Sequence, residues 1–200
     1  MGKVLYIKAN PKPQGYSRTC KVSDTFIEEY KKNNPGDEVI TIDLYKEQID
    51  FLREEDLKAL FGPKTEESKN HPVLKYAYQF ADADKYIVAA PMWNLGNPAI
   101  LKAYIDYVSV MGITFKYGEN GPVGLCSGKK ALFVAGRGGD YTSEFTAPFE
   151  MGEKYIRTVF AFFGVCDFTV IPVENLDSGN NSEEIVKEAC VVAVEIAKKF

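Results

Sequence analysis

Lys85–Asp106 reads K-Y-I-V-A-A-P-M-W-N-L-G-N-P-A-I-L-K-A-Y-I-D. Three structural instructions follow one another in it. Lys85–Ala90 (KYIVAA) is a short apolar run of the kind that forms a strand buried on both faces. Pro91 ends it, because proline offers no N–H to a ladder. Met92–Asn97 then brings two amides, a glycine and the chain's only tryptophan into a connector. Pro98 opens a helix, where its missing N–H costs nothing. Leu101, Tyr104, Ile105 and Val108 recur at helical spacing on one face. A buried strand, a turn and an amphipathic helix make one half of a βαβ unit.

Working outward, the same alternation repeats on both sides. Lys3–Ala9 (KVLYIKA) predicts the first strand, and Ser17–Asn33 a helix with Val22, Phe26, Ile27 and Tyr30 on its apolar face. Asn33-Asn34-Pro35-Gly36 stops that helix. Glu38–Asp43 (EVITID) predicts the second strand. Residues 44–70 are mixed and charged, and are read as short helices in a long excursion. Pro72–Ala81 is a further helix. Ile113–Gly128 is glycine-rich and predicts a hairpin. Lys130–Ala135 (KALFVA) is the fourth strand, Pro148–Phe163 a helix, and Cys166–Val173 the fifth strand, placed at an edge by Pro172. Ser182 is read as the cap of the last helix, with Glu183 and Glu184 in its positive first turn. Five strands alternating with helices predict a three-layer α/β fold, a parallel sheet covered on both faces. No repeat or linker divides residues 1–200, so one domain is expected.

Composition narrows the function. The 200 residues are 46% hydrophobic and 26% charged, with a net charge of -4. That balance suits a globular protein and argues against a nucleic-acid partner. No apolar run is long enough to cross a bilayer, and Met1–Ala9 does not read as a signal peptide. The expected location is the cytoplasm. The four cysteines, Cys20, Cys126, Cys166 and Cys190, are scattered without a C-x-x-C pair. Cys166 and Cys190 are read as core thiols, and the single histidine, His71, as a residue at a helix start. No metal site and no histidine-based triad is expected.

In an open parallel sheet the ligand lies beyond the carboxyl ends of the strands. Three such loops are unusual. Asn10–Thr19 ends in Ser17-Arg18-Thr19 at a helix N-terminus, where free amides and the helix dipole favour an anion such as a phosphate. A plain helix cap gives the same residues. Pro91–Pro98 offers Trp93 and Met92 as apolar surface, and amides beside them, a mixture that suits a flat heteroaromatic ring. Gly136-Arg137-Gly138-Gly139 lets backbone amides approach a ligand closely. No G-x-x-x-x-G-K-[ST] occurs, so triphosphate hydrolysis is not expected. The glycines at 136, 138 and 139 do not complete a dinucleotide fingerprint either.

Four stretches carry a resemblance over nearly the whole chain: KVLYIKAN with GYSRT downstream, PMWNLGNPAILKAYID, GITFKYGENGPVGL and GKKALFVAGRGG. By these the chain resembles the FMN-dependent NADH-azoreductase family of azo and quinone reductases. The resemblance implies a flavodoxin-like fold with strand order 2-1-3-4-5, a homodimer, and one FMN per protomer at the dimer interface. It implies FMN contacts from Asn10, from Ser17, Arg18 and Thr19 at the phosphate, from Met92, Trp93, Asn94 and Leu95 along the ring, and from Gly136, Arg137, Gly138 and Gly139 at the pyrimidine end. Asn10, Trp93 and Gly136 depart from the residues common in that family, serine, tyrosine and serine. At Gly136 a side-chain donor is lost.

The implied chemistry is carried by the flavin. NADH passes a hydride, NAD⁺ leaves, and an azo compound or quinone takes the same face. No catalytic side chain is required. Phe115 and Tyr117 are candidates to line the substrate, with a hairpin packing role as the alternative. The 148–163 helix carries Ile156, Val159, Phe160 and Phe163 at core spacing and Tyr155 and Phe162 on another face. It reads as apolar nearly all round, which suggests a partner subunit and lets Phe162 reach the neighbouring site; an overfilled core is the alternative. Rival functions are a flavodoxin-type electron carrier and an NAD(P)H-dependent FMN reductase. A phospho-receiver domain is set aside, because Asn10-Pro11 and Pro91-Met92 stand where its acids belong. No spacing rule decides between NADH and NADPH, although Arg53 and Arg137 are cations in reach of a 2′-phosphate.

Overall fold

A computed structural model describes residues 1–13, 15–179 and 181–200. Its strands and helices are β1 (Lys3–Lys8), α1 (Arg18–Asn33), β2 (Glu38–Asp43), α2 (Glu54–Phe61), α3 (Leu74–Asp82), β3 (Lys85–Pro91), α4 (Ala99–Val108), β4 (Phe115–Gly118), β5 (Gly121–Gly124), β6 (Lys130–Gly136), α5 (Gly152–Phe162), β7 (Asp167–Val173) and α6 (Ser182–Ala197). Short 3₁₀ turns lie at Glu67–Asn70 and Ala147–Phe149.

The main sheet is parallel, in the order β2-β1-β3-β6-β7. This is the expected 2-1-3-4-5 order once the β4–β5 hairpin is set apart. Alternate residues of the central strands feed two cores. Leu5, Ile7, Val88 and Phe133 pack under α3, α4 and α5. Val4, Tyr6, Ile87 and Leu132 pack under α1 and α6. Continuous apolar strands are what this double burial demands. Strand order reverses direction between β1 and β3, so the crevice beyond their carboxyl ends is the switch point.

Several local readings change. Ser182 is the first residue of α6, and Asn181 holds the cap position without a side-chain hydrogen bond. The fifth helix begins at Gly152, because Pro148 sits in a 3₁₀ turn and Glu150 is extended. That helix is not apolar all round: Lys154, Arg157 and Thr158 face solvent, Tyr155 is half-buried, and Phe162 is 37% exposed. Cys166 is exposed and Cys190 half-buried, whereas the buried thiols are Cys20 and Cys126. Cys166 lies in the loop before the edge strand, where nothing covers it. Cys126 is covered by the end of α5, its N–H bonded to the Phe163 carbonyl at 2.8 Å. The 44–70 excursion does carry α2 and a 3₁₀ turn. No helix among the described residues is long and apolar enough to cross a membrane.

Candidate functional site

The carboxyl ends of β1, β3, β6 and β7 surround a cavity of about 120 Å³. Its floor is the start of α1. Ser17 caps that helix, its Oγ accepting from the Cys20 N–H at 3.1 Å. The Asn10 amide donates to the same Oγ at 2.7 Å, while its Oδ1 accepts from the Lys12 N–H at 3.0 Å. Asn10 is therefore a brace that ties the β1 loop to the cap. The first-turn amides of a helix have no carbonyl partner within it, so this floor presents donors and a positive dipole end.

Arg18 stands at the rim. Its guanidinium donates to the Leu176 carbonyl and, at 2.5 Å, to Asp177 Oδ1. Thr19 is buried, and its hydroxyl fills the notch beside Gly136. A Cβ at Gly136 would fall 2.0 Å from Thr19 Oγ1. The threonine hydroxyl occupies the space that a side chain at 136 would take, so any larger residue there must displace it. At Gly138 a Cβ would sit 2.7 Å from Asp177 Oδ2, the far end of an exposed side chain that can give way. Gly139 meets no such obstacle; its carbonyl accepts from the Asn175 N–H at 3.0 Å.

The second wall is the turn after β3. Trp93 and Gly96 exchange backbone hydrogen bonds of 2.9 and 3.0 Å, and Asn94 and Leu95 between them have φ of 49° and 69°. Two left-handed residues in succession form the tight hairpin turn that normally takes Asn-Gly. Leucine in this conformation is unusual, and such strain of about 1–3 kcal/mol gathers at functional sites. The turn is pinned at both ends, by Met92 N–H to the Gly136 carbonyl at 2.7 Å and Met151 N–H to the Leu95 carbonyl at 3.0 Å. Trp93 and Leu95 are 42% and 43% exposed, so two apolar surfaces stand open beside the cavity.

Arg137 turns away from the cavity. Its side chain is 5% exposed and meets Glu174 at 2.6 Å, Glu153 at 2.9 Å and Glu150 at 3.4 Å. Burial works against its charge, but Glu174 with Glu150 and Glu153 outweighs burial and its pKa is raised. Its Nε has no partner among the described residues. The guanidinium is committed to joining the end of β6, the residue after β7 and α5.

The structure thus brings together Asn10, Ser17, Arg18, Thr19, Met92, Trp93 and Gly136–Gly138, with Asn94, Leu95 and Gly139 on the adjoining loops. It does not bring Phe115, Tyr117 or Phe162 to this cavity. Those three rings form their own cluster, with centroids 4.7 Å apart for Phe115–Phe162 and 5.8 Å for Phe115–Tyr117. Phe162 is ten residues along α5 from Gly152, about 15 Å at the helical rise. Lys12, Pro91, Leu176 and Asp177 also line the cavity and were not singled out from sequence. The signal for the last two was present: the loop after β7 is a fourth strand end under the same topological rule.

A doubly wound sheet with a phosphate-sized, amide-floored cavity at its switch point, flanked by open aromatic surface, defines a flavin mononucleotide-type binding protein. The chain belongs to the flavodoxin-like fold family, whose match covers residues 2–196. It is 65% identical over the full length of both chains to an FMN-dependent NADH:quinone oxidoreductase of Clostridium perfringens. Among solved structures it is similar to an azoreductase from Bacillus anthracis, at 36% identity and a TM-score of 0.90 over the whole of both chains. It is also similar to an FMN-dependent NADH-azoreductase of that organism in complex with FMN, at 28% identity and a TM-score of 0.89, covering 100% of this chain and 99% of that one.

The residues present fit FMN. The floor supplies donors for a terminal phosphate, the loop from Gly136 to Gly138 borders the cavity, and Trp93 and Leu95 offer apolar surface to a ring. The enclosed volume of about 120 Å³ is well below the roughly 300–1,000 Å³ of a complete small-molecule site. It suits the phosphate end, with the ring on the open rim.

Proposed function

We propose that the chain is an FMN-dependent NADH:quinone oxidoreductase that also reduces azo compounds, acting as a cytoplasmic homodimer of one flavodoxin-like unit over residues 1–200. When bound, FMN supplies a two-electron acceptor and donor for hydride. The protein's part is binding, orientation and fixed dipoles. Ser17, Arg18 and Thr19 with the first turn of α1 hold the phosphate. Met92, Trp93, Asn94 and Leu95 hold the ring, with the backbone of Gly136, Arg137, Gly138 and Gly139 at its far end. Backbone amides aimed where negative charge develops stabilise it without reorganising.

The observation that carries this reading is the strained Trp93–Gly96 turn, pinned at both ends beside the phosphate cradle. The turn's own hydrogen bonds hold Asn94 and Leu95 left-handed, and in that shape the apolar surfaces of Trp93 and Leu95 stay exposed, where a ring can be laid. NADH and the quinone use the same open face in turn, so no protein acid or base is needed between them. The small enclosed volume supports the homodimer, because the ring lacks a second wall. Phe115, Tyr117 and Phe162, remote from the cavity of their own chain, are suited to supply that wall to a partner's.

The test is steady-state kinetics with NADH and benzoquinone varied together. Parallel double-reciprocal lines are expected, the mark of alternating half-reactions. Intersecting lines, or no quinone-dependent oxidation of NADH, would overturn the reading.

A further inference from the structure

Beside the flavin cavity lies a second and larger hollow of about 590 Å³, between α1 and β2. It exists for a topological reason. α1 packs across β3, β6 and α6, and of the edge strand β2 only Val39 joins that core, so the carboxyl half of β2 is left open on that face. Thr41 is exposed there and Asp43 half-buried. On the same face β1 changes character along its length, from the buried apolar Val4 to the polar Tyr6 and Lys8. The Tyr6 hydroxyl lies 2.5 Å from Ser23 Oγ and donates to Asp24 Oδ1 at 2.6 Å, and Lys8 reaches the same carboxylate at 3.1 Å. The floor is thus a set of satisfied polar groups, a surface built for a polar occupant.

The two hollows are neighbours: Asn10 and Lys12 line both. Along α1 the larger one runs from Cys20 to Lys31, eleven residues and about 16 Å. It has three kinds of chemistry. Lys8, Lys12, Lys31 and Lys46 bring cations, against Asp24, Glu28 and Asp43. Tyr45 offers an exposed ring face. Asp43 closes β2 at its carboxyl end, its carboxylate meeting Lys46 at 2.9 Å and the Tyr45 N–H at 3.3 Å. An acid at the carboxyl end of the second strand is where dinucleotide folds grip a ribose diol, since a carboxylate accepts from both hydroxyls and repels a 2′-phosphate.

We propose that this groove holds the adenosine diphosphate half of NADH, and that Asp43 selects NADH over NADPH. The proposal rests on NADH being the donor at the flavin site. With the nicotinamide over the flavin ring, the rest of the dinucleotide runs past the phosphate end to Lys12 and the groove. Lys12 meets its phosphates and Asp43 the ribose diol, with Tyr45 against the adenine and Lys31 at the far end of the groove.

The test compares NADH with reduced nicotinamide mononucleotide, which lacks the adenylate half, on FMN-loaded enzyme. The double variant Lys31→Glu/Tyr45→Ala changes two exposed side chains outside the flavin cavity. It is expected to raise KM for NADH about tenfold, a loss of about 1.4 kcal/mol of binding. KM for the mononucleotide, kcat at saturating NADH and flavin content stay unchanged, as for the loss of uniform binding. Calorimetry should show ADP binding to the FMN-loaded wild type and not to the variant, and ADP should compete with NADH. Asp43→Ser should narrow the preference for NADH over NADPH. ADP that fails to bind, ADP that binds without competing, or equal KM values for NADH and the mononucleotide in the wild type would each overturn the groove assignment. If neither donor bleached the flavin, it would be the flavin reading itself that failed.

Discussion

The two ends of the flavin site are built differently. At the phosphate end every wall comes from one chain: Asn10 braces Ser17, Ser17 caps α1, Thr19 fills the notch at Gly136, and Asp177 packs against Gly138. At the ring end the backbone is equally firm, with the 93–96 turn hydrogen-bonded at both edges, but the side chains that should enclose a ring are exposed. Anion recognition at a helix start is local and needs only short-range geometry. Enclosing a flat ring needs two opposed apolar walls, and a single flavodoxin-like unit provides one.

The difference sets a ranking of effects. The largest is expected for Gly136→Val, whose branched side chain has no room beside Thr19. FMN affinity should fall by at least a hundredfold and stability by about 1–3 kcal/mol, the usual cost of overpacking. Flavin absorbance of the purified protein and its thermal midpoint measure both. A protein that still purified fully yellow would show that the notch is not rigid.

Arg18→Ala should come next. A charge-assisted hydrogen bond is worth about 1.5–3 kcal/mol, so FMN should bind roughly ten- to a hundredfold more weakly. Riboflavin, which has no phosphate, should bind as before. Equal losses for the two flavins would place Arg18 at the wrong end of the ligand.

Phe162→Ala tests the open end. It is expected to leave the thermal midpoint of the protomer nearly unchanged, because the side chain is partly exposed, while lowering kcat/KM for benzoquinone several-fold. Mixing it with an inactive Gly136→Val chain sharpens the comparison. If the partner's ring completes the site, the mixed dimer gains one site with both walls intact, Gly136 from one chain and Phe162 from the other, and activity rises above the average of the two parents.

The smallest effects concern the frame under both ends. Leu95→Gly relieves a left-handed leucine and should change stability by under about 1 kcal/mol, since glycine's entropy offsets the gain. Asp37, below the sheet, accepts from the Tyr30 hydroxyl at 2.6 Å and from the Gly2 N–H at 2.6 Å, and these bonds lower its pKa. Its stabilisation is therefore complete above the unfolded carboxylate value of about 3.9. It is lost as the pH falls through the lower folded value. Asp37→Asn should shift the acid limb of a pH–stability curve and leave flavin affinity alone.

Much of this was legible in the chain. The three central strands are short apolar runs, and burial on both faces leaves that composition little alternative; the edge strands β2 and β7 are mixed and only partly buried. The loops at Ser17, Trp93 and Gly136 follow from topology once the strands are placed. What was not legible depended on tertiary neighbours. Whether Ser182 or Asn181 holds a cap position is a matter of one residue of winding. Whether Cys166 or Cys126 is buried depends on where α5 ends. Arg137 looks from sequence like a ligand cation, and only the approach of Glu150, Glu153 and Glu174 from two other elements makes it a buried tie. Asp177 escaped notice because its loop carries no glycine pair or aromatic to mark it. The resemblance supplied Phe115 and Tyr117 and the helix pattern supplied Phe162, and local pattern alone gives no sign that none of the three lines its own chain's cavity.

The most direct measurement is an anaerobic titration of the FMN-loaded protein with NADH, followed by benzoquinone. One equivalent of NADH per flavin should bleach the visible band, and one equivalent of quinone should restore it, with hydroquinone as product. A flavin that stays oxidised in excess NADH, or that bleaches and is not restored by quinone, would contradict the account.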